Sequence, residues 1–211
     1  MKNFLAVDTS GSYMSVVAMK DGKEFSVFEA DCAMKHSVLL MEKIDEALKK
    51  ADLTLEECDF FAACVGAGSF TGIRIGISAV KGLALALGKP TIGVTSFALA
   101  AYNAIDGKPQ GKILCLVDAL HDAYYACGYE NGELVLPPAY LSEEQVLKLC
   151  KEGYVLRSCA KLPIEARMAV EVVSPISGLK NAVLLAAERG EFGALSAVYV
   201  RKSSAEENVC K

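Results

Sequence analysis

Apolar and polar positions alternate along the first half of the chain in an order that predicts a strand hairpin followed by alternating helices and strands. Short apolar runs with turn residues between them predict buried strands, and apolar residues three and four apart predict helices. The predicted elements are strands at 3–8, 13–20 and 23–30, a helix at 36–50, a strand at 60–65, a helix at 71–87, a strand at 91–94 and a helix at 96–105.

The second half shows the same order of patterns. The predicted elements are strands at 112–117, 124–129 and 133–136, a helix beginning at Ser142, strands at 154–156 and 170–173, a helix at 179–189 and a last short strand at 197–200. Ser142 with Gln145 three residues later is a capping-box pattern, which favours a helix start at that point.

The register of the two halves repeats. Asp8 and Asp118 each end a strand, and thirteen residues later Asp21 and Asn131 each begin a hairpin turn with glycine next. We therefore predict two tandem βββαβα lobes with mixed sheets, joined by the polar linker 106–111. This α/β architecture resembles the actin-like ATPase superfamily (ASKHA, ribonuclease H-like). The predicted lobes are residues 1–107 and 108–211.

Composition limits the functional classes. The formal net charge is −4 over 211 residues, which excludes a broad basic footprint for nucleic acid. We find no signal-peptide pattern and expect no apolar run to reach the length of a membrane span, so a cytoplasmic protein is expected. No C-x-x-C pair occurs, and we expect reduced, structural thiols at the eight cysteines, 32, 58, 64, 115, 127, 150, 159 and 210.

Few residues suggest catalysis. Asp8, Thr9 and Ser10 follow the first strand, where an actin-like protein has a phosphate loop, and they either contact a nucleotide weakly or only satisfy the turn. The second half offers no glycine after Asp118. The two histidines, His36 and His121, have no metal-ligand spacing, so no metal site is predicted. No catalytic residue is predicted.

The glycine-rich stretch 66–76 is the most distinctive motif. It lacks the Lys-Ser/Thr pair of a P-loop and the third glycine of a dinucleotide fingerprint, so it predicts a tight turn from strand to helix. The following helix is apolar around most of its circumference, and small residues are spaced along one face. We predict that this face admits a helix of another chain, with the face formed by Gly72, Gly76, Ala79 and Leu83.

The motifs together resemble the TsaB (YeaZ) family of tRNA threonylcarbamoyladenosine biosynthesis proteins. The resemblance lies in residues 5–10, 35–37, 66–76 and 81–84. It is looser in the second half, where only 117–119 and 198–201 match in kind. It implies a non-catalytic partner of the TsaD subunit, which transfers threonylcarbamoyl to adenosine 37 of tRNAs reading ANN codons. The resemblance also implies a TsaE-like ATPase as a further member of the complex and contact with tRNA through the complex. It implies no intrinsic cofactor, and any ATP or ADP would bind at the interface with the partner.

The same resemblance implies a helix-bundle interface, used also for a homodimer when the protein is alone. The implied interface residues are His36, Leu40, Met41, Ile44, Gly66, Gly68, Ser69, Phe70, Thr71, Gly72, Arg74, Gly76, Ile77, Val80 and Leu83. Two alternatives stay open from the residues: a glycoprotease-type peptidase that uses a metal or a nucleophile, and a small ATP-binding switch that uses Asp8, Thr9 and Ser10.

Overall fold

The structure, a computed structural model, describes residues 2–103, 110–166 and 168–201. Two five-stranded mixed sheets form the framework, each with an antiparallel hairpin on one side of a central strand and two parallel strands on the other. Buried residues on both faces of each sheet make four apolar clusters, so each sheet is covered on both sides.

The first sheet has the strand order β3-β2-β1-β4-β5. Its central strand β1 has every residue buried, as its continuous apolar run predicts. The elements of this half are β1 (Phe4–Asp8), β2 (Met14–Lys20), β3 (Lys23–Glu29), α1 (His36–Ala51), β4 (Phe60–Cys64), α2 (Phe70–Leu87), β5 (Thr91–Val94) and α3 (Ser96–Ala101).

The second sheet has the order β10-β9-β6-β7-β8, which is the same topology with β6 in the place of β1. The elements are β6 (Lys112–Asp118), β7 (Ala123–Glu130), β8 (Glu133–Ser142), α4 (Glu143–Lys151), β9 (Val155–Ser158), a 3₁₀ turn (Pro163–Ala166), β10 (Val170–Val172) and α5 (Pro175–Glu188). The predicted tandem of mixed sheets is therefore confirmed.

The two hairpin turns confirm the repeat at the level of single residues. Asp21 and Asn131 both have φ of 50°, and Gly22 and Gly132 have φ of 81° and 83°. Two consecutive positive φ values define a type I′ turn, whose twist matches that of the strands it joins. The predicted capping box is present as well, with Ser142 and Gln145 bonded reciprocally.

The helices do not follow the division of the chain into halves. On the first sheet α1 and α2 cover one face, and the other face is covered by α5, through buried residues such as Leu179 and Val183. On the second sheet α4 and the 3₁₀ turn cover one face, and α3 covers the other through Phe97 and Ala100. The last helix of each half, α3 or α5, thus packs on the sheet of the other half.

Some predicted boundaries change. The last predicted strand is wrong: residues 197–200 form no ladder, and only the N–H of Val198 bonds to the carbonyl of Val65, at 2.7 Å. Helix α5 begins four residues earlier than predicted, because Ser174 caps it and Pro175 occupies its first turn. Most of the predicted linker, the boundary at 107/108, the end of the helix predicted to reach residue 105, and Cys210 lie outside the described residues.

The expectation that no apolar run reaches the length of a membrane span is also corrected. Helix α2 has 18 residues and is apolar enough in composition to cross a membrane. In the structure it lies on the first sheet, with one side buried through residues such as Ile73 and Val80. A core helix passes the same test of length and composition, so the apolar character of α2 is partly explained by this packing.

Candidate functional site

Asp8 lies at the carboxyl end of the central strand β1 and is fully buried. Its Oδ1 accepts the N–H of Ser10 at 2.9 Å, and its Oδ2 accepts the hydroxyl of Tyr13 at 3.0 Å. A buried carboxylate needs such donors, because without them its desolvation costs several kcal/mol, roughly. The structure thus favours the interpretation of Asp8 as a turn residue whose two oxygens are both satisfied within the chain.

Tyr13 is a site residue that the sequence analysis missed. Its ring lies against Gly11, where a Cβ would be 2.5 Å from the ring carbon Cε1, so glycine is required at position 11. Burial, and then the nearby Asp8 carboxylate, raise the pKa of Tyr13 well above its usual value, so the hydroxyl keeps its proton and donates to Asp8. The only sequence signal is a tyrosine at the first position of the predicted strand 13–20.

The two hydroxyls next to Asp8 are also engaged. The hydroxyl of Thr9 donates to the carbonyl of Gly72 at 2.7 Å, and the hydroxyl of Ser10 lies 3.1 Å from that of Ser96. The thiol of Cys64 lies beside both serines, at 3.5 and 3.3 Å. The loop predicted to contact phosphate therefore uses its side chains to fasten the turn to α2 and α3.

The glycines of the 66–76 stretch are explained by close backbone approach within the chain. A Cβ would lie 2.3 Å from the carbonyl oxygen of Ser10 at Gly68, and 2.1 Å from that of Thr9 at Gly72. At Gly76 it would lie 2.5 Å from the Thr9 hydroxyl. The prediction that Gly72 and Gly76 admit a partner helix is therefore wrong, because the turn after β1 already occupies the space beside them.

A cleft of about 330 Å³ lies between the two sheets, at the ends of β1, β6 and β9. Asp118, Cys159 and Lys161 line it on the side of the second sheet, and Ser12 and Ser69 on the side of the first. Burial raises the pKa of Cys159 to about 12, so its thiol is protonated at neutral pH and a weak nucleophile. Ser69 is committed to capping α2 through the N–H of Gly72.

His36 and the acidic residues form no metal centre in the part of the chain that the structure describes. There, no three histidine, cysteine or carboxylate side chains are grouped so as to hold a metal ion. His36 is buried at the start of α1, and its Nε2 lies 3.0 Å from the carbonyl oxygen of Tyr13. It therefore anchors the helix start to the turn before β2.

Burial divides the predicted interface residues into three groups. Those inside the chain's own core cannot be reached by a partner, and this corrects the prediction for His36, Leu40, Ile44, Gly66, Gly72, Gly76, Ile77 and Val80. Gly68 and Leu83 are half-buried. Those on the surface are Met41, Ser69, Phe70, Thr71 and Arg74. The predicted interface includes residues from both the inner and the outer sides of the two helices, because an apolar residue on either side gives the same sequence pattern.

Exposed apolar side chains lie among polar ones on the outer side of α1 and α2. Among the described residues, the exposed large apolar side chains that lie on helices all belong to these two helices, and they are Val38, Met41, Phe70 and Leu85. Val38 is 76% and Leu85 86% exposed. The outer side of α2 also carries Ser78 and Gly82, and a Cβ at Gly82 would meet no atom within 4 Å. We call Val38, Met41, Ser78, Gly82 and Leu85 the outer helix face.

Residues 27–211 match the model of a family described as TsaD, tRNA N6-adenosine threonylcarbamoyltransferase. The curated protein TsaB of Escherichia coli (strain K12), described as a tRNA threonylcarbamoyladenosine biosynthesis protein, is 32% identical over 129 residues, which cover 61% of this chain and 55% of that protein. The chain belongs to the TsaD family, in its TsaB (YeaZ) branch.

A TsaB-branch structure shows the same fold. YeaZ from Pseudomonas aeruginosa superposes with a TM-score of 0.79 at 27% identity, covering 94% of this chain and all of that one. The two lobes are therefore those of the actin-like ATPase fold. By sequence the chain spans only 55–62% of the length of the first curated TsaB relatives.

Individual proteins named for the TsaD activity also match this chain, over shorter alignments. The tRNA N6-adenosine threonylcarbamoyltransferase of Protochlamydia amoebophila (strain UWE25) is 42% identical over 76 residues, which cover 36% of this chain and 22% of that protein. The TsaB and TsaD branches are thus related in sequence.

Proposed function

We propose that this chain is a non-catalytic subunit in the formation of N6-threonylcarbamoyladenosine in tRNA, and that it acts by binding a TsaD-like paralogue. The outer helix face is the observation that carries this proposal. An exposed apolar surface on two neighbouring helices gains free energy when a partner covers it, because the partner removes that surface from water. The names of the TsaB and TsaD relatives indicate which process the assembly serves.

The side chains of the cleft that are already bonded or protonated support a role without chemistry of its own. The side chains of Asp8, Thr9 and Ser10 bond to the turn and to α2 and α3, and the thiol of Cys159 is protonated. A nucleophile or general base needs a group that is free to exchange a proton with substrate. We therefore assign the transfer reaction to the TsaD-like partner.

Charge supports the further proposal that tRNA is bound by the complex and not by this chain alone. The formal net charge is −4, and α2 carries only Arg74 and Lys81 as charged residues. Phosphate contacts dominate nucleic-acid affinity, so an acidic chain gains little from them. A TsaE-like ATPase and the TsaD-like partner would act with this subunit in the cytoplasm.

The direct test is binding of the purified full chain to the TsaD-like protein encoded in the same genome. Leu85→Glu places a charge in the apolar part of the outer helix face, and we expect it to weaken binding at least about tenfold, or 1.4 kcal/mol. Gly82→Gln fills open space without a clash in the chain, so it keeps the fold and hinders close approach of a partner helix. Calorimetric titration gives both affinities.

Leu134→Glu is the matched control, since Leu134 is also exposed, at 56%, but lies on β8 of the second sheet. It should bind like the unmodified chain. Equal affinity of all variants would show that the outer helix face is not the interface. Failure of the unmodified chain to bind, together with normal threonylcarbamoyladenosine in tRNA from cells that lack it, would overturn the proposed function.

We also propose that ATP or ADP in the assembly is held with the partner. Titration of the isolated chain with ATP and magnesium should give no heat of binding, because the Asp8 carboxylate already holds the Tyr13 hydroxyl. A micromolar affinity would instead favour the ATP-binding switch. Light scattering of the isolated chain tests whether a second copy covers the outer helix face, in which case Leu85→Glu should give a monomer.

A further inference from the structure

After α5 the chain returns to the first sheet and follows its edge. The N–H of Gly193 bonds to the carbonyl of Thr91 on β5 at 2.9 Å, and Leu195 is buried in the core beneath α1 and α2. The N–H of Val198 then bonds to the carbonyl of Val65 at 2.7 Å. We call residues 195–201 the strap.

The strap holds the first turn of α2 through Tyr199. Its ring stacks on that of Phe70, with ring centroids 4.9 Å apart, and its hydroxyl accepts a hydrogen bond from Nε of Arg74 at 2.8 Å. The guanidinium carbon of Arg74 lies 3.7 Å from the centre of the Phe70 ring. Three side chains from two distant parts of the sequence thus form one stacked group on the surface.

The next two residues of the strap contact the second lobe. Val200 packs against the apolar cluster between α3 and the second sheet, and the guanidinium carbon of Arg201 lies 5.0 Å from the centre of the Tyr140 ring on β8. Tyr199 and Arg201 are two residues apart in sequence. The strap therefore touches both lobes within a single short segment.

The strap also lies on the glycine loop that forms the floor of the cleft. At Gly66, where φ is 112°, a Cβ would be 2.7 Å from the carbonyl oxygen of Val198. The next residues of that loop, Ala67, Gly68 and Ser69, line the cleft. A displacement of the strap would therefore remove support from the floor of the cleft and from the first turn of α2 together.

We propose that the strap couples the width of the cleft between the lobes to the position of the first turn of α2. The strap fastens the second lobe to the end of α2 that carries Phe70, Thr71 and Arg74, so the cleft stays narrow while this turn is held in place. The proposal has two parts. The effect of the strap on partner binding rests on the proposed function, because α2 provides the proposed docking surface. The connection that the strap makes between the two lobes, which we call the tie, is independent of that function.

The first experiment is hydrogen exchange of the full chain, read peptide by peptide by mass spectrometry. Tyr199→Ala removes the ring stacking and the Arg74 hydrogen bond. We expect the backbone amides of the cleft segments 10–13 and 158–161 to exchange about tenfold faster in this variant than in the unmodified chain. The reason is that the variant loses one aromatic pair and one charge-assisted contact. Tyr199→Phe keeps the stacking and should change exchange much less.

The second experiment is titration of the same variants with the TsaD-like protein. Tyr199→Ala should bind several-fold more weakly than the unmodified chain, and Tyr199→Phe nearly as well. Unchanged exchange in both cleft segments overturns the tie between the lobes. Faster exchange with unchanged affinity overturns the coupling to docking. If the unmodified chain does not bind either, and tRNA from cells that lack it contains normal threonylcarbamoyladenosine, the proposed function fails, whereas the exchange result still decides on the tie between the lobes.

Discussion

The two lobes share one sheet topology and differ in what surrounds it. Between the fourth and fifth strands the first lobe has α2, with 18 residues, and the second lobe has a 3₁₀ turn of four residues at the same point. Helix α1 exposes Val38 and Met41, whereas no exposed large apolar residue was found on α4. The two lobes thus share a sheet topology, and among the described helices only α1 and α2 of the first lobe carry exposed large apolar residues.

The loops after the central strands differ in a related way. Asp8 and Asp118 each accept the N–H two residues later through Oδ1, at 2.9 and 2.8 Å. Asp8 is buried and also holds Tyr13, whereas Asp118 is exposed. Equivalent residues can therefore keep the same local turn while their burial, and with it their energetic importance, diverges.

The largest expected effect comes from exchanging these two aspartates for alanine. Asp8→Ala leaves the buried N–H of Ser10 and the buried hydroxyl of Tyr13 without an acceptor, so we expect a loss of about 3–4 kcal/mol in the free energy of unfolding. Asp118→Ala should cost only about 0.5 kcal/mol, as for an exposed residue. Urea denaturation measures the free energy of unfolding of both variants. Equal losses would contradict the conclusion that the two aspartates differ in energetic importance.

The second prediction uses one substitution at two places on α2. Gly72→Ala puts a Cβ against the carbonyl of Thr9 and should destabilise the chain by about 2–3 kcal/mol. Gly82→Ala lies in open space and should stabilise it by about 0.5–1 kcal/mol, because alanine loses less backbone entropy in a helix. Changes of the same sign would contradict the assignment of the inner and outer sides of α2.

The third prediction concerns alkaline pH. Burial raises the pKa of Cys127 in the second lobe to about 11 and that of Cys58 in the first to about 12. A group with a raised pKa binds its proton more tightly in the folded state, so its stabilisation is complete below pH 9 and is lost as the pH rises from 9 towards 12. The Tm should therefore fall by several degrees between pH 9 and 11, and a constant Tm would show that these thiols are not desolvated.

The smallest expected effect compares the starts of α1 and α4. Ser142 caps α4 within a capping box, whereas Lys35 before α1 makes no side-chain cap. Ser142→Ala should cost about 1 kcal/mol, and Lys35→Ala about zero. Thermal unfolding monitored by circular dichroism gives both values. A similar cost at Lys35 would mean that its side chain supports α1 in another way.

Local signals were sufficient to predict most of the fold. The dipeptides Asp21-Gly22 and Asn131-Gly132, the Ser142 cap and the apolar runs each act within a few residues, so the sequence shows them directly. The thirteen-residue spacing from strand end to hairpin turn, which occurs once in each half, then gave the relation of the two lobes. The exchange of α3 and α5 between the sheets could not be seen, because it depends on contacts between distant segments.

The site was harder to predict for the same reason. The pattern of Gly72 and Gly76 has two explanations, a partner helix or a backbone of the same chain, and only the position of Thr9 distinguishes them. Tyr13 belongs to no motif, and Tyr199 belongs only to the segment 198–201 that resembles the TsaB (YeaZ) family in kind. Neither pattern shows the partner, since Asp8 and Arg74 are brought near by a tight turn in one case and by the whole fold in the other.

The position of α5 near the end of the chain has a consequence for synthesis. The inner face of the first sheet, with Phe4 and Phe60, is covered by α5, which is complete only at residue 188. While the chain is being translated, the ribosome has therefore released a sheet with one apolar face in water long before the helix that covers it exists. We expect nascent chains of this protein to be captured by chaperones until α5 has been translated.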